Sequence, residues 1–548
     1  MKKFFVSLLV AVLSLSAGNA CTNFIVGKKA SADGSVFISY SADSYGMSGF
    51  AVHYPAAIHP EGAMRDIYNW DTGNYLGQIP EARYTYNVVG NINEHQVAIA
   101  ETTFGGREEL VDTTGLLDYG SLIYIALQRS KSAREAIDVI TSLVEEYGYY
   151  SSGESFSIAD KNEAWILEMV GKAGKEKGAV WVAVRIPDDC ISAHANQARI
   201  RKFDMKDKEN VRYSKDVIKF ARKMGYFNGK DEDFDFAAAY CPADFGGLRY
   251  CDARVWSFFN MFGAEDMNKY LAWAQGDATA EPMPLYMKPK APVTLQDMQR
   301  GMRDHYEGTP FDITNDLGAG PYNMPYRPSP LSFKVDGKEY FNERPISTFQ
   351  TAFTFVAQLR SHMPDAVGGV MWFGTDDANM VVFTPVYGCA TVVPDCYKEC
   401  YADPLEFSWK SSFWVFNWVS NMIYPKYSMI IEDMRKVQGA LENGIYEQSK
   451  EVEAEAIAVI GTSPKYAIEL LTDFTCNSAE MALAEWKKFG EKIIVKYNDY
   501  TVKSEKNGKL DRGTTGLGGK LNRPGYPQGY LKRIVEETGD RYLIPSAK

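Results

Sequence analysis

Cys21-Thr22-Asn23-Phe24-Ile25-Val26-Gly27 follows directly on Gly18-Asn19-Ala20, and this junction decides how the chain is read. Upstream of it, Met1-Lys2-Lys3 is basic, Phe4 to Leu15 is an apolar run and Gly18-Asn19-Ala20 is a small-residue cleavage site, the pattern of a secretory signal spanning residues 1–20. Cleavage there leaves Cys21 first, with its thiol and a free α-amine on one Cα. Such an amine, with a pKa of about 7.7–8.0, can act as the base for its own thiol. Two other fates stay open. A lipidated cysteine normally has Leu or a similar apolar residue three places upstream, where this chain has Gly18. Alternatively, cleavage falls elsewhere and Cys21 is an ordinary buried or disulfide-bonded cysteine.

Downstream, Thr22 to Val26 and Ser35 to Tyr40 read as short strands joined through the turn dipeptide Asp33-Gly34, a hairpin that begins at the cysteine. Helices are expected at Tyr119 to Arg129 and at Ser132 to Tyr147, the second opened by a Ser132/Glu135 capping box and closed by Gly148. Strands are expected at Ser155 to Ala159, Ala164 to Val170, Val180 to Ile186, Ile191 to Ala193, Ala352 to Gln358, Gly369 to Phe373 and Met380 to Val386. Blocks of this kind indicate an α+β class, with helices packed on antiparallel sheets. From about Ser411 to Tyr497 the pattern turns to consecutive helices, the clearest being Ser478 to Lys492 with Ser478 as its cap. Residues 503–530 read as a long loop.

The composition is 45% hydrophobic, 24% charged and 13% aromatic, that of an ordinary globular chain. Removing Lys2 and Lys3 with the leader takes the formal charge from −11 to −13, which speaks against nucleic acid or an anionic membrane as partner. Past the leader no apolar stretch approaches the roughly 20 residues that cross a bilayer, so no stable membrane insertion is expected. Eight cysteines make no disulfide scaffold. Cys389, Cys396 and Cys400 are close enough in sequence to suggest one disulfide, whereas a zinc site there lacks a second ligand pair and a nearby His. No metal or other cofactor is expected.

Other catalytic signatures are missing: there is no G-x-S-x-G, no G-x-x-x-x-G-K-[ST], no G-x-G-x-x-G and no H-E-x-x-H. Only His53, His59, His95, His194, His305 and His362 could serve a Cys-His dyad. An N-terminal cysteine needs none of them.

Several ordered segments together resemble a known family. They are Cys21-Thr22 to Ser31, Asp33-Gly34-Ser35, Asn93-Glu94-His95-Gln96-Val97-Ala98-Ile99, His194-Ala195-Asn196-Gln197-Ala198-Arg199-Ile200 and Arg303-Asp304-His305-Tyr306-Glu307-Gly308-Thr309, followed by Glu343-Arg344-Pro345 and Trp372-Phe373-Gly374. The chain resembles secreted dipeptidases of the C69 peptidase family, within the N-terminal nucleophile hydrolases and related to penicillin V acylase and bile salt hydrolase. The resemblance implies a four-layer αββα fold over residues 21–400, and the helical pattern read above makes residues 401–548 a mainly helical C-terminal region. The resemblance also implies Cys21 as nucleophile through a thioester, Asp43 as the acid that holds the amine, Asn93 in the oxyanion hole, Asn196 against the nucleophile and Arg254 near the sulfur. One departure is plain: where the acylases and many of these dipeptidases carry an arginine three residues before the acid, this chain has Tyr40.

Three functions follow. A dipeptidase would need an anion for the substrate's ammonium, from Glu101, Asp43 or Glu307. An N-acyl amide hydrolase of bile-salt or penicillin type would need an apolar pocket instead. A non-catalytic secreted binding protein would have its cysteine lipidated or buried. The segment with His305 and Glu307, read as substrate-pocket or structural, favours the first. The expected substrates are then short peptides, the expected location is the periplasm or the medium, and assembly into a homo-oligomer stays open.

Overall fold

The computed structural model describes residues 21–174, 176–511 and 521–545, so the signal segment expected over residues 1–20 lies outside the described residues. Asn23–Val26 and Val36–Asp43 form the antiparallel hairpin expected from their Val, Ile and Phe content, with Ile25 opposite Ile38 and Val26 opposite Phe37. Asp33-Gly34 is only the last turn of a longer connection over residues 27–35. Asp33 accepts the Ser35 N–H at 3.0 Å, and Gly34 sits at φ +80°, where a side chain is strained.

This hairpin is the centre of a seven-stranded antiparallel sheet in the order Tyr286–Met287, Ile191–His194, Asn23–Val26, Val36–Asp43, Thr351–Leu359, Gly369–Thr375 and Thr384–Tyr387. A second antiparallel sheet runs Val211–Tyr213, Ala179–Ile186, Ala164–Gly171, Gly153–Ala159, Ala98–Gly105, Ile92–Asn93, Val88–Val89 and His53–Tyr54. Strand alternation sorts the hairpin between two cores. Val36, Ile38, Tyr40 and Ala42 face a core shared with Ala98, Ala100, Ile166 and Val182 of the second sheet, whereas Phe24, Val26 and Phe37 face helix Ala253–Phe262 and helix Leu295–Met302. The outer face of the second sheet packs Ile99, Phe156 and Leu167 against helices Tyr119–Arg129 and Ala133–Tyr147. With both faces covered, the central strands are buried along their whole length.

Ser132 caps the Ala133–Tyr147 helix by accepting the Glu135 N–H, and Gly148 closes it at φ +82°. The Glu135 carboxylate reaches past the cap to the Lys131 N–H, so the box is displaced by one residue.

Four expectations are corrected. The strand expected at Met380 to Val386 is confined to Thr384–Tyr387, because Asp377 draws residues 377–380 into a turn through the Asn379 and Met380 N–H groups. Ser478 caps nothing: it is buried inside one continuous helix, Pro464–Tyr497, whose apolar face already begins at Ala467 and Leu471. Burial of Phe474 and Thr475 overrides the weak helix propensity of Thr475-Cys476-Asn477-Ser478. The stretch 503–530 is not all loop: Val502–Lys503 pairs with Leu521–Asn522, Glu505–Lys506 with Lys509–Leu510, and a helix starts at Gln528. All eight cysteines are unpaired; Cys396 is buried with its N–H on Glu480, while Cys400 is exposed.

The long helices Tyr427–Ile460 and Pro464–Tyr497 form a hairpin that packs with helix Ser412–Ile423 on the edge strand Thr384–Tyr387. Buried charge ties this hairpin to the sheet. Arg360 donates two bonds to Glu453 at 2.7 and 2.8 Å, and the Tyr387 hydroxyl donates to the same carboxylate at 2.8 Å. Gly490 is required by close approach, since a Cβ there would lie 2.3 Å from the Trp418 ring.

Candidate active site

The register of the first strand sets the geometry. Asn23 lies opposite His194, so the same pairing, continued outward, sets Cys21 opposite Asn196. Arg254, fully buried on helix Ala253–Phe262, clamps this junction. Its Nη1 donates to the Cys21 carbonyl at 2.5 Å and to Thr22 Oγ1 at 2.7 Å, its Nη2 to the Ala195 carbonyl and Asn196 Oδ1 at 3.0 Å each, and its Nε to the Tyr250 carbonyl at 2.7 Å. A guanidinium has five N–H groups, and all five are used. Burial, with Arg344 nearby, pushes Arg254 down to about 10, so it stays cationic at neutral pH. Asn196 sits at φ +64°, a conformation Asn tolerates, and its amide nitrogen donates to the Thr103 carbonyl at 2.8 Å.

The thiol faces acid. Cys21 Sγ lies 3.6 Å from Glu101 Oε1 and 3.7 Å from the Tyr40 hydroxyl, which itself donates to Glu101 Oε1. Burial pushes the thiol well above its ordinary range, and the negative charges of Glu101 and Asp43 push it the same way; the Asp43 N–H and the Tyr40 hydroxyl only partly oppose this. These surroundings favour the neutral thiol over the thiolate. Glu101 is itself raised by burial, against the hydrogen bonds that Glu154, Tyr40 and Cys21 supply. The cleft beside the thiol is lined by Trp70, Tyr119, Tyr124 and Phe353, together with Asn91 and Met47.

Of the residues named from sequence, Cys21, Asp43, Asn196, Arg254 and Glu101 are brought together. Asp43 is fully engaged: its carboxylate accepts from Arg344, from Thr351 Oγ1 at 2.6 Å and from Ser41 Oγ at 3.1 Å. Asn93 does not reach the thiol. Its amide donates both hydrogens, to the Leu127 carbonyl at 2.7 Å and the Ser130 carbonyl at 2.8 Å, and its oxygen accepts the His95 and Val97 N–H groups, so it fastens a turn. Asn91, two residues earlier, lines the cleft instead. His305 and Glu307 also lie away from it. The Glu307 carboxylate accepts the His305 N–H at 2.9 Å and lies 3.1 Å from that ring, which packs edge-on against Tyr326. Between them Tyr306 donates to the Arg344 carbonyl at 2.8 Å, so this segment braces the partner of Asp43.

Sequence reasoning missed Asn91, Glu154, Arg344 as an ion-pair partner, and Tyr40 as a contact of the thiol. Tyr40 was visible as a departure from the family pattern. Glu154 and Arg344 depend on pairings across 51 and 301 residues, which local spacing does not record.

A profile of Peptidase family C69 matches residues 20–440. A probable dipeptidase of Salmonella dublin is 28% identical over 411 residues, 71% of this chain and 85% of the relative. Dipeptidase A of Lactobacillus helveticus is 25% identical over 72% of this chain and 80% of its own length, and probable dipeptidase B of Streptococcus pyogenes serotype M1 is 24% identical over 89% and 95%.

Proposed function

The chain belongs to peptidase family C69, and from that premise we propose that it is a cysteine-type dipeptidase in which Cys21, exposed as first residue by removal of residues 1–20, is the nucleophile. The layering of helices outside two stacked sheets supports reading the fold as the αββα stack of N-terminal nucleophile hydrolases. The leader supports export to the periplasm or beyond.

In this reading the α-amine of Cys21 takes the Sγ proton as sulfur attacks the scissile carbonyl carbon. The side-chain amides of Asn91 and Asn196 each have one N–H left after their bonds to the Ile99 and Thr103 carbonyls, and these are the donors proposed for the oxyanion. Collapse breaks the C–N bond, the protonated α-amine hands its proton to the leaving amine, and a thioester remains. Water then attacks, giving its proton to the α-amine, and the C–S bond breaks to release the acid and restore the thiol. Arg254 fixes the Cys21 carbonyl, so amine and sulfur keep one mutual orientation throughout.

The observation that carries the substrate choice is Glu101, 3.6 Å from the sulfur. Asp43 is neutralised by Arg344 and Glu307 faces His305, which leaves Glu101 as the cleft's anion. In a peptide the first carbonyl carbon lies only about 2.5 Å from the terminal nitrogen. An ammonium on Glu101 therefore brings the first peptide bond, the one a dipeptide has, to the sulfur. It also offsets a charge that keeps the thiol protonated. An N-acyl substrate offers Glu101 no cation.

The test is hydrolysis of dipeptides, tripeptides and N-acetyl dipeptides by the chain starting at Cys21, beside Cys21→Ala. Turnover of free dipeptides, lost in Cys21→Ala, is expected; equal activity of the two would overturn the mechanism. Preference for N-acyl substrates would overturn the specificity.

A further inference from the structure

Glu101 does not stand alone on its sheet. The register pairs Thr103 with Glu154 and Glu101 with Phe156, which makes Glu101 and Glu154 diagonal neighbours on one face of adjacent strands. Both side chains are buried. Glu154 Oε2 accepts from Thr103 Oγ1 at 2.9 Å, and Glu101 Oε1 accepts from Tyr40 and from the Cys21 thiol. The other oxygen of each, Glu154 Oε1 and Glu101 Oε2, is buried without a donor. A proton held between the two carboxyls satisfies both at once, and it is what makes their contact a hydrogen bond.

Among the described residues no Lys, Arg or His side chain pairs with either carboxyl, and the α-amine, once free, belongs to Cys21 on the Glu101 side. Among the described residues the titratable groups that face the pair are Cys21 and Tyr40 from the hairpin, Asp71 from the turn between strands Met64–Tyr68 and Tyr75–Pro80, Tyr119 from helix Tyr119–Arg129 and Tyr149 from the turn after helix Ala133–Tyr147. Two ionised carboxylates side by side in such surroundings are strongly disfavoured.

We propose that Glu154 is a positioning residue for this cleft: it holds a proton against Glu101, so that the two share one negative charge and present it to a substrate ammonium on the Glu101 side. The substrate half rests on the ammonium-binding reading above. Burial raises both carboxyls above the ordinary range; Glu101 Oε1 accepts from both Tyr40 and Cys21 whereas Glu154 accepts only from Thr103, which favours the charge on Glu101 and the proton on Glu154. As pH falls, the pair takes a second proton, loses its charge and releases ammonium-bearing substrates; a gain of affinity toward acid would have the wrong sign. Glutamine at 154 keeps a donor for Glu101 Oε2 and keeps the single charge, whereas leucine leaves that oxygen bare.

The experiment compares wild type, Glu154→Gln, Glu154→Leu and Glu101→Gln by two readouts. The wild-type minus Glu154→Gln infrared difference spectrum at neutral pH is expected to show the carbonyl band of a protonated carboxylic acid, the bands of Glu168 and Asp376 cancelling. In kinetics, Glu154→Gln is expected to keep the wild-type KM for a free dipeptide, while Glu154→Leu raises it by about tenfold or more and leaves competitive inhibition by the same dipeptide lacking its α-amine unchanged. Absence of the band, or equal loss in the Gln and Leu variants, would overturn the proposal; the Gln comparison suffices if the Leu variant fails to fold. Free-amine preference surviving in Glu101→Gln, with the band present, would refute the ammonium reading while leaving the proton pair standing.

Discussion

Arg254 and Tyr40 define how one cysteine is held. Because all five guanidinium N–H groups are spent on groups around Cys21, Arg254→Lys should keep the charge but lose the clamp. A fall in kcat/KM of about tenfold or more is expected, with KM for free dipeptides little changed; an unchanged kcat would show that the clamp is not needed for rate. Tyr40→Phe removes the hydroxyl that donates to Glu101 and lies 3.7 Å from the thiol. It should move the pH profile of kcat and alter thiol alkylation rates, which a merely space-filling ring would not. At this scale the sequence was most legible where a residue's chemistry is tied to its place in the chain. Cys21 follows a sequence with the pattern of a leader, and Arg254 is a residue that the family resemblance implies. Asn93 was named where Asn91 lines the cleft, since two asparagines two residues apart in a strand-and-turn segment look alike until their hydrogen bonds are drawn. Glu154 left no local trace, because only sheet register brings it beside Glu101.

His194 shows what the elements ask of their buried polar groups. It ends strand Ile191–His194 and is held between Thr102 Oγ1 and Ser157 Oγ, each at 2.7 Å, so it joins the two sheets. Burial, with Arg199 adding to it, pushes it down to about 3. A histidine depressed in the fold contributes stability that is present above its unfolded pKa of about 6.5 and is lost as pH falls toward 3. Between pH 7 and pH 4 that loss is on the order of 3 kcal/mol. Glu168 and Asp376, both raised by burial to about 7, work the other way, since their stability is present in acid and lost as pH rises toward 7. Denaturant unfolding across this range should therefore show His194→Gln losing less stability toward acid than wild type; an unchanged slope would contradict the assignment. Elements with a strong period and a cap, such as Ala133–Tyr147, were legible from sequence. The extent of Pro464–Tyr497 was not, because tertiary burial carries the helix through a Thr-Cys-Asn-Ser stretch that locally favours a start.

At the scale of the whole molecule, the helical hairpin of residues 427–497 shares a core with the sheet that bears Cys21, and the Arg360–Glu453 pair fastens the two. Removing one partner strands the other as a buried charge. Arg360→Met should thus lower the melting temperature and cost about 3–5 kcal/mol, whereas Arg360→Met with Glu453→Met should recover most of it. A double variant no better than the single would mean that the pair is not the link. The central claim concerns what happens when residues 1–20 leave. While they remain, the Cys21 nitrogen is an amide and cannot act as a base, so the same thiol in the same cleft should be inert. The most direct measurement is kcat/KM for a dipeptide with two chains that differ only in their first residue, one beginning at Cys21 and one at Ala20. The account predicts turnover by the first and a loss of about a hundredfold or more in the second; equal rates would contradict it.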